Sequence, residues 1–443
     1  MLNTDKLFKA AKKAGIQITE VRISAESKLS VTVFDGEQEN FTVADDTVFT
    51  VRGVINGKLG VFTSDRADDG VIPTAIEALV DSAAYGGEID PELFIDGKAY
   101  EYEKLDLFSA ELDKVPATRF IALAEEISEK TRAADARIEH AEISVEYSNG
   151  AERLVNSRGL DLKHAANYVM VYGSVKASAD GEVQSGSHYA IFGDMDKFDA
   201  DGFAKTLAND GVSRLKGGSV PTGKYAVVYS PDCVAVLVKT LCNAFSAFNA
   251  EQHISLLEGK IGQKVFSALF CLEQTPIGGD VFCSPFDAEG VPRGNMKLVE
   301  NGVPTTYVYD LATAKRAGVR STGNGALNGG NVRPAVGYVT LHEGGSSKAE
   351  LFEKTGNGIY VTELGGVSTG IDAQSGNYSL QASGYFIENG KLSKPISLMT
   401  VAGNIITDFA DVVAVGNDSK LTYYAVKAPS VAIGGLSVSG VEE

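Results

Sequence analysis

Residues 356–404 read GNGIYVTELGGVSTGIDAQSGNYSLQASGYFIENGKLSKPISLMTVAGN. Apolar and polar residues alternate in short runs separated by glycine, which predicts β-strands joined by tight turns. Glu388-Asn389-Gly390-Lys391 predicts a hairpin, because Asn-Gly accepts the two positive-φ positions of its turn. Side chains along a strand point alternately to opposite faces, so Ser379, Gln381, Ser383 and Tyr385 share one face. The backbone here could pair with an extended peptide. These four are therefore the candidate peptide-binding residues; ordinary sheet surface or core is the competing reading.

The same section begins near Lys224. Residues 225–230, YAVVYS, predict a buried strand. Ser230 can cap a helix that has Pro231 at its first position and Asp232 in its first turn, where a negative charge suits the dipole. Val234, Leu237, Leu241, Phe245 and Phe248 recur at three- and four-residue steps and predict one long helix with an apolar stripe. From Lys264 onward the pattern is strand, turn and glycine almost to the end.

Further upstream, residues 4–14 predict a helix stopped by Gly15. Residues 17–64 predict a meander turning at Asp35-Gly36 and Asn56-Gly57, and Pro73 opens a helix to Ala84. Residues 89–114 carry little periodicity and read as a linker. Pro116 then opens a helix, four strand segments follow (141–150, 151–159, 160–178 and 185–194), and a helix at about 198–213 closes the unit. The expected class is α+β. Two helix–meander–helix sections, 1–88 and 115–220, precede a β-rich C-terminal domain, 221–443, with one long helix. The repeated plan hints at a duplication.

A formal charge of −18 and the lack of a basic run argue against direct nucleic-acid or anionic-membrane binding, since phosphate contacts need clustered Lys and Arg. No apolar window approaches a membrane span, and the first residues show no signal-peptide pattern. Four cysteines, Cys233, Cys242, Cys271 and Cys283, form no C-x-x-C pair and fit a reducing cytoplasm better than a disulfide framework.

Four stretches in the C-terminal section carry a resemblance. Ser255-Leu-Leu-Glu-Gly-Lys260 with Ile261-Gly-Gln-Lys-Val265 is similar to S-x-x-x-G-K-x-G-x-x-V. Ser284-Pro-Phe-Asp-Ala-Glu-Gly-Val-Pro292 resembles R-P-F-D-D-E-G-x-P, continued by Val299-Glu-Asn-Gly302, Tyr309-Asp310 and Ser321-Thr-Gly-Asn324. Gly358-Ile-Tyr-Val361 through Gly384-Tyr-Phe-Ile-Glu-Asn-Gly390 is the third stretch; Val401-Ala-Gly-Asn404 with Val415-Gly-Asn-Asp418 is the fourth. Together they resemble the TldD/PmbA family, a two-subunit bacterial peptidase once called a modulator of DNA gyrase. The catalytic subunit of that family bears H-E-x-x-x-H on the helix before S-x-x-x-G-K, where two imidazoles one turn apart hold zinc and the Glu serves as base. A late cysteine completes that site. In this sequence the motif falls on Val238-Lys-Thr-Leu-Cys-Asn243, and Thr422-Tyr-Tyr-Ala425 occupies the late position.

The resemblance therefore implies the PmbA (TldE)-like subunit. It would have no metal or catalytic residue of its own, and zinc is expected in a TldD-like partner subunit. Its substrate would be a peptide or unfolded protein, and its location the cytoplasm. The alternative is a binding or regulatory protein of the gyrase-modulator type, assembled as a homodimer. Other chemistry finds little footing. His342-Glu343 lacks a second ligand at helical spacing, Cys242 reads as a small buried hydrophobe, and G-x-S-x-G at Gly366–Gly370 is expected to lie in β structure rather than at a strand-to-helix elbow.

Overall fold

The computed structural model describes residues 2–440. Helix α1 (Thr4–Lys13) is capped by the Asn3 side chain, with Asp5 in its first turn and Lys12 and Lys13 in its last. Strands β1 (Ile18–Phe34), β2 (Glu37–Ile55) and β3 (Lys58–Ser64) follow, then α2 (Ile72–Tyr85). Both turns fall where expected: Asp35 and Asn56 stand at φ 52° and 49°, each followed by a glycine at positive φ. The second section comprises α3 (Ala110–Asp113), α4 (Ala117–Ala134), β4 (Ile138–Asn156), β5 (Asp161–Ala179), β6 (Glu182–Phe192) and α5 (Ala200–Val212).

The two sections are not separate sheets. Their strands form one antiparallel sheet, β3-β2-β1-β4-β5-β6, joined along first strands from Glu20↔Asn156 to Phe34↔Glu142. The segments expected at 141–150 and 151–159 are one strand, β4. Asn149-Gly150 does not turn because both neighbours hold it: Ser27 and Glu26 on one side, Asn167 and Ala166 on the other. Phe120, Leu123 and Ile127 of α4 and Phe203 and Leu207 of α5 share one core cluster with Ile143, Val145, Val169 and Val171 of the sheet.

Residues 89–114 are largely irregular but strapped down. Phe94 and Ile95 are buried. Asn156 Nδ2 donates to the Ile95 carbonyl at 3.0 Å, Arg158 Nη1 to the Phe94 carbonyl at 2.7 Å, and the Tyr102 hydroxyl to the Gly290 carbonyl at 2.7 Å.

The C-terminal part opens with β7 (Gly223–Tyr229), α6 (Pro231–Cys242) and α7 (Ala247–Glu251). Then come β8 (Leu272–Gln274), β9 (Met296–Glu300), β10 (Val303–Pro304), α8 (Leu311–Ala317), β11 (Gly325–Asn328), β12 (Asn331–Pro334) and β13 (Val339–Leu341). The final run is α9 (Lys348–Thr355), β14 (Gly358–Gly365), α10 (Val367–Gly370), β15 (Asn377–Glu388), β16 (Lys391–Asn404), α11 (Ile405–Ala410), β17 (Val412–Val415), β18 (Lys420–Thr422), β19 (Val426–Ala428) and β20 (Val431–Gly440). One sheet runs β16-β15-β14-β7-β20-β17, and β16 also pairs with β20 from Met399↔Gly440 to Ala402↔Ser437. Five strands thereby close into a ring. A second sheet runs β10-β9-β8-β13-β19-β18. Helix α6 contacts β7 and β14 of the first and β18 and β19 of the second. Its residues Val234, Leu237 and Leu241 join Val227, Ile359, Leu380, Val401 and Val426 in one core.

The α+β class holds, with corrections inside the C-terminal domain. Helices α8, α9 and α11 interrupt what read as continuous β structure. The expected long helix breaks at Asn243–Phe245, which is 3₁₀, and at Ser246, which is extended (φ −67°, ψ 120°), so Phe248 belongs to α7. Among the described residues no helix is long and apolar enough to cross a membrane.

Candidate functional site

Strand β7 runs directly into α6. The Ser230 hydroxyl oxygen accepts the Cys233 N–H, and Asp232 sits in the first turn. Further along the helix, Val238 and Leu241 are wholly buried in the core. Cys242 is also buried, and loss of hydration pushes its thiol up to about 12, so it stays protonated. Thr240 Oγ1 turns back to the Val236 carbonyl at 3.1 Å. Positions 238–243 thus offer neither imidazole nor carboxylate. Among the described residues no three His, Cys, Asp or Glu side chains are grouped to hold a metal ion. The His, Glu and His positions of H-E-x-x-x-H carry Val238, Lys239 and Asn243, none of them a usual zinc donor.

The late stretch does return to α6. Lys420, on β18, places Nζ 2.9 Å from Asp232 Oδ2 and 3.8 Å from the ring centroid of Tyr189 on β6. The Tyr189 hydroxyl donates to the other Asp232 oxygen, and the Tyr423 ring lies 5.0 Å from the Tyr189 ring. Near these residues burial lowers His188 to about 4 and raises Asp210 to about 6. Burial also lowers the Lys348 ammonium. A cluster of desolvated charges with shifted protonation is a pointer to a functional site. The sequence reading missed it because its members come from β6, α5, α6, α9 and β18, and no local spacing connects them.

The four candidate peptide-binding residues lie on β15. Ser379 and Gln381 are exposed; Ser383 is buried. Ser383 Oγ donates to Glu363 Oε2 at 3.3 Å, and Glu363 also accepts from Arg214 Nη1 at 2.6 Å. Tyr385 is half-buried, and its hydroxyl hydrogen-bonds Ser213. Main-chain pairing with a peptide is corrected by the topology. From Gln381 to Glu388, β15 is flanked by β14 and β16, so its backbone groups are already engaged.

The remaining candidates resolve individually. His342 follows β13, and its Nε2 is 2.8 Å from Glu273 Oε2. Ser347, five residues on, caps α9. Ser368 does stand in a helical turn after a strand, contrary to expectation: Gly366 at φ 71° leads from β14 into α10. That turn spans four residues, and among the described residues no histidine hydrogen-bonds the serine.

Three family descriptions match in succession: PmbA/TldA metallopeptidase domain 1 over residues 19–85, the central domain over 110–215, and the C-terminal domain over 222–440. The chain belongs to the PmbA/TldD family. Metalloprotease PmbA of Escherichia coli O157:H7 is 26% identical over 432 residues, covering 95% of this chain and 92% of that protein. A Thermotoga maritima MSB8 structure, solved as a candidate modulator of a DNA gyrase, superposes with TM-score 0.90 at 26% identity, over 98% of this chain and 99% of that one. TldE from Thermococcus kodakarensis shares the fold, with TM-score 0.88 at 19% identity over 99% and 100% of the two chains.

The stretches that carry the PmbA/TldD likeness act here as staples. The Asp287 carboxylate accepts N–H groups from Glu289, Val291 and Gly325 at 2.9, 2.9 and 2.7 Å. Burial raises it to about 6 despite those bonds. Glu289 Oε2 accepts the Leu311 N–H at 2.8 Å and Asp310 caps α8, so the loop 284–292 is tied to the helix. Gly290, at φ +79°, comes so close to the first sheet that a Cβ would lie 2.8 Å from Leu160.

Proposed function

We propose that this chain is the PmbA/TldE-like subunit of a two-chain cytoplasmic metallopeptidase. It positions peptide or unfolded protein for a TldD-like partner that carries the zinc, the activated water and the base. The supporting observation is the end of helix α6 with its C-cap, where Val238, Lys239 and Asn243 stand at the His, Glu and His positions of the family's H-E-x-x-x-H. Positioning is a substantive share of catalysis, because holding a peptide in a reactive geometry removes much of the entropic barrier. On this reading Ser379 and Gln381 contact peptide through side chains, and Ser383 and Tyr385 support the strand behind them.

Co-expression with a TldD-like subunit tests the proposal. The two chains should co-purify and cleave unfolded peptides faster than either alone, with stoichiometric zinc tracking the partner. Peptide hydrolysis by the isolated chain, abolished by chelation, would overturn it. A second reading, a non-catalytic homodimeric regulator, is favoured only by the likeness to the Thermotoga structure solved as a candidate gyrase modulator; failure of the two chains to associate would favour it.

A further inference from the structure

The β11–β12 hairpin reaches from the C-terminal domain across to the first sheet. At its tip Gly330, at φ +86°, approaches so closely that a Cβ would lie 2.6 Å from Val61 of β3. Beneath it lies a cleft of about 320 Å³ lined by Arg52, Glu88, Glu289, Lys315, Arg316 and Arg333, among others. Two of these cations are already matched, Lys315 by Asp90 and Glu92 and Arg316 by Glu251.

The other two are not fully matched. Arg52 is only 7% exposed. Its Nη1 is 3.0 Å from Glu20 Oε1, yet its buried Nε makes no hydrogen bond. Arg333 stacks on Phe248 at 4.3 Å and donates only to the Val332 carbonyl, with no ion pair among the described residues. Glu88, an exposed residue of the same lining, likewise has no ion-pair partner among the described residues. An incompletely bonded Arg52, an exposed Arg333 and an exposed Glu88 in one lining suit a ligand that carries both charges. A doubly charged phosphate would face Glu88, Glu289 and Asp310 as well.

We propose that this cleft binds a zwitterionic ligand of the amino-acid class, its carboxylate on Arg52 and Arg333 and its ammonium toward Glu88. A guanidinium edge matches a carboxylate geometrically, and the volume is at the lower end for small-molecule sites. The ligand is a free amino acid or the paired ends of a very short peptide. Helix α7 supplies both Phe248 and Glu251, so the segment directly after α6 holds two arginines of the cleft.

Calorimetric titration of the full-length chain with L-alanine and with dialanine tests this, using N-acetylalanine and alaninamide as single-charge controls. Saturable binding of either zwitterion is expected, and which one binds identifies the source. Each single-charge analogue should bind at least ten-fold more weakly, as should either zwitterion to Arg333→Ala and Glu88→Gln. Both positions are exposed, and melting without ligand should stay at the parent value. No saturable binding of either zwitterion, equal binding of the single-charge analogues, or equally strong competition by inorganic phosphate would overturn the proposal.

Discussion

Glu20 and Arg52 face each other across β1 and β2, with only 3% and 7% of their surfaces exposed. Burial pushes the Glu20 carboxyl up, against the pull of Arg52. Among the described residues neither charge has another carboxylate or cation at salt-bridge distance to fall back on. Glu20→Ala should therefore cost about 3–5 kcal/mol, because it strands a buried guanidinium, whereas replacing both by apolar residues of similar volume should cost far less; urea denaturation of the single and double variants compares them. Asp408 gives a pH prediction. Burial raises it from 3.8 to about 6, although it accepts the Tyr378 hydroxyl at 2.7 Å. Between roughly pH 4 and pH 6 the folded chain keeps a proton that the unfolded chain has released, so this group's contribution falls as pH rises through that window and is flat above it. Asp408→Asn should then gain up to about 3 kcal/mol relative to the parent at pH 8 and nothing at pH 3, read from paired denaturation curves. Sequence patterning could name neither residue, because burial of a strand Glu or a late Asp depends on neighbours far along the chain.

At the scale of elements, hairpins were the most readable feature. Asp-Gly and Asn-Gly fix positive φ locally, and Asp35, Asn56 and Asn389 all adopt it. The same signal at Asn149-Gly150 is overridden, since pairing on both edges of β4 outweighs a local turn preference. Helices α8 and α9 were legible in principle: Asp310…Thr313 and Ser347…Glu350 are capping boxes. They were obscured by the glycine-rich segments around them. Ser347→Ala should cost about 1 kcal/mol, measured as a shift in urea midpoint with unchanged slope.

For the whole molecule, the decisive contact is the closure of β16 on β20. Val438 is 1% exposed and pairs with Val401 there. Val438→Asp should destabilise by more than about 3 kcal/mol by burying an unpaired charge, seen as a lower denaturation midpoint. Pairing with β14 on one edge and β16 on the other keeps β15, whose Ser379, Gln381, Ser383 and Tyr385 share a face by simple alternation, from offering its central backbone to a peptide. Sequence by itself determined the class, the hairpins at Asp35, Asn56 and Asn389, the helices α1, α2, α4, α5 and α6, and the residue types at 238–243, because each is written in residues adjacent on the chain or one helical turn apart. Tertiary structure alone decided that two sections share a sheet, that five strands form a ring, and that Asp232, Tyr189 and Lys420 meet. Those outcomes depend on which distant surfaces bury one another, and nothing in local periodicity specifies that choice.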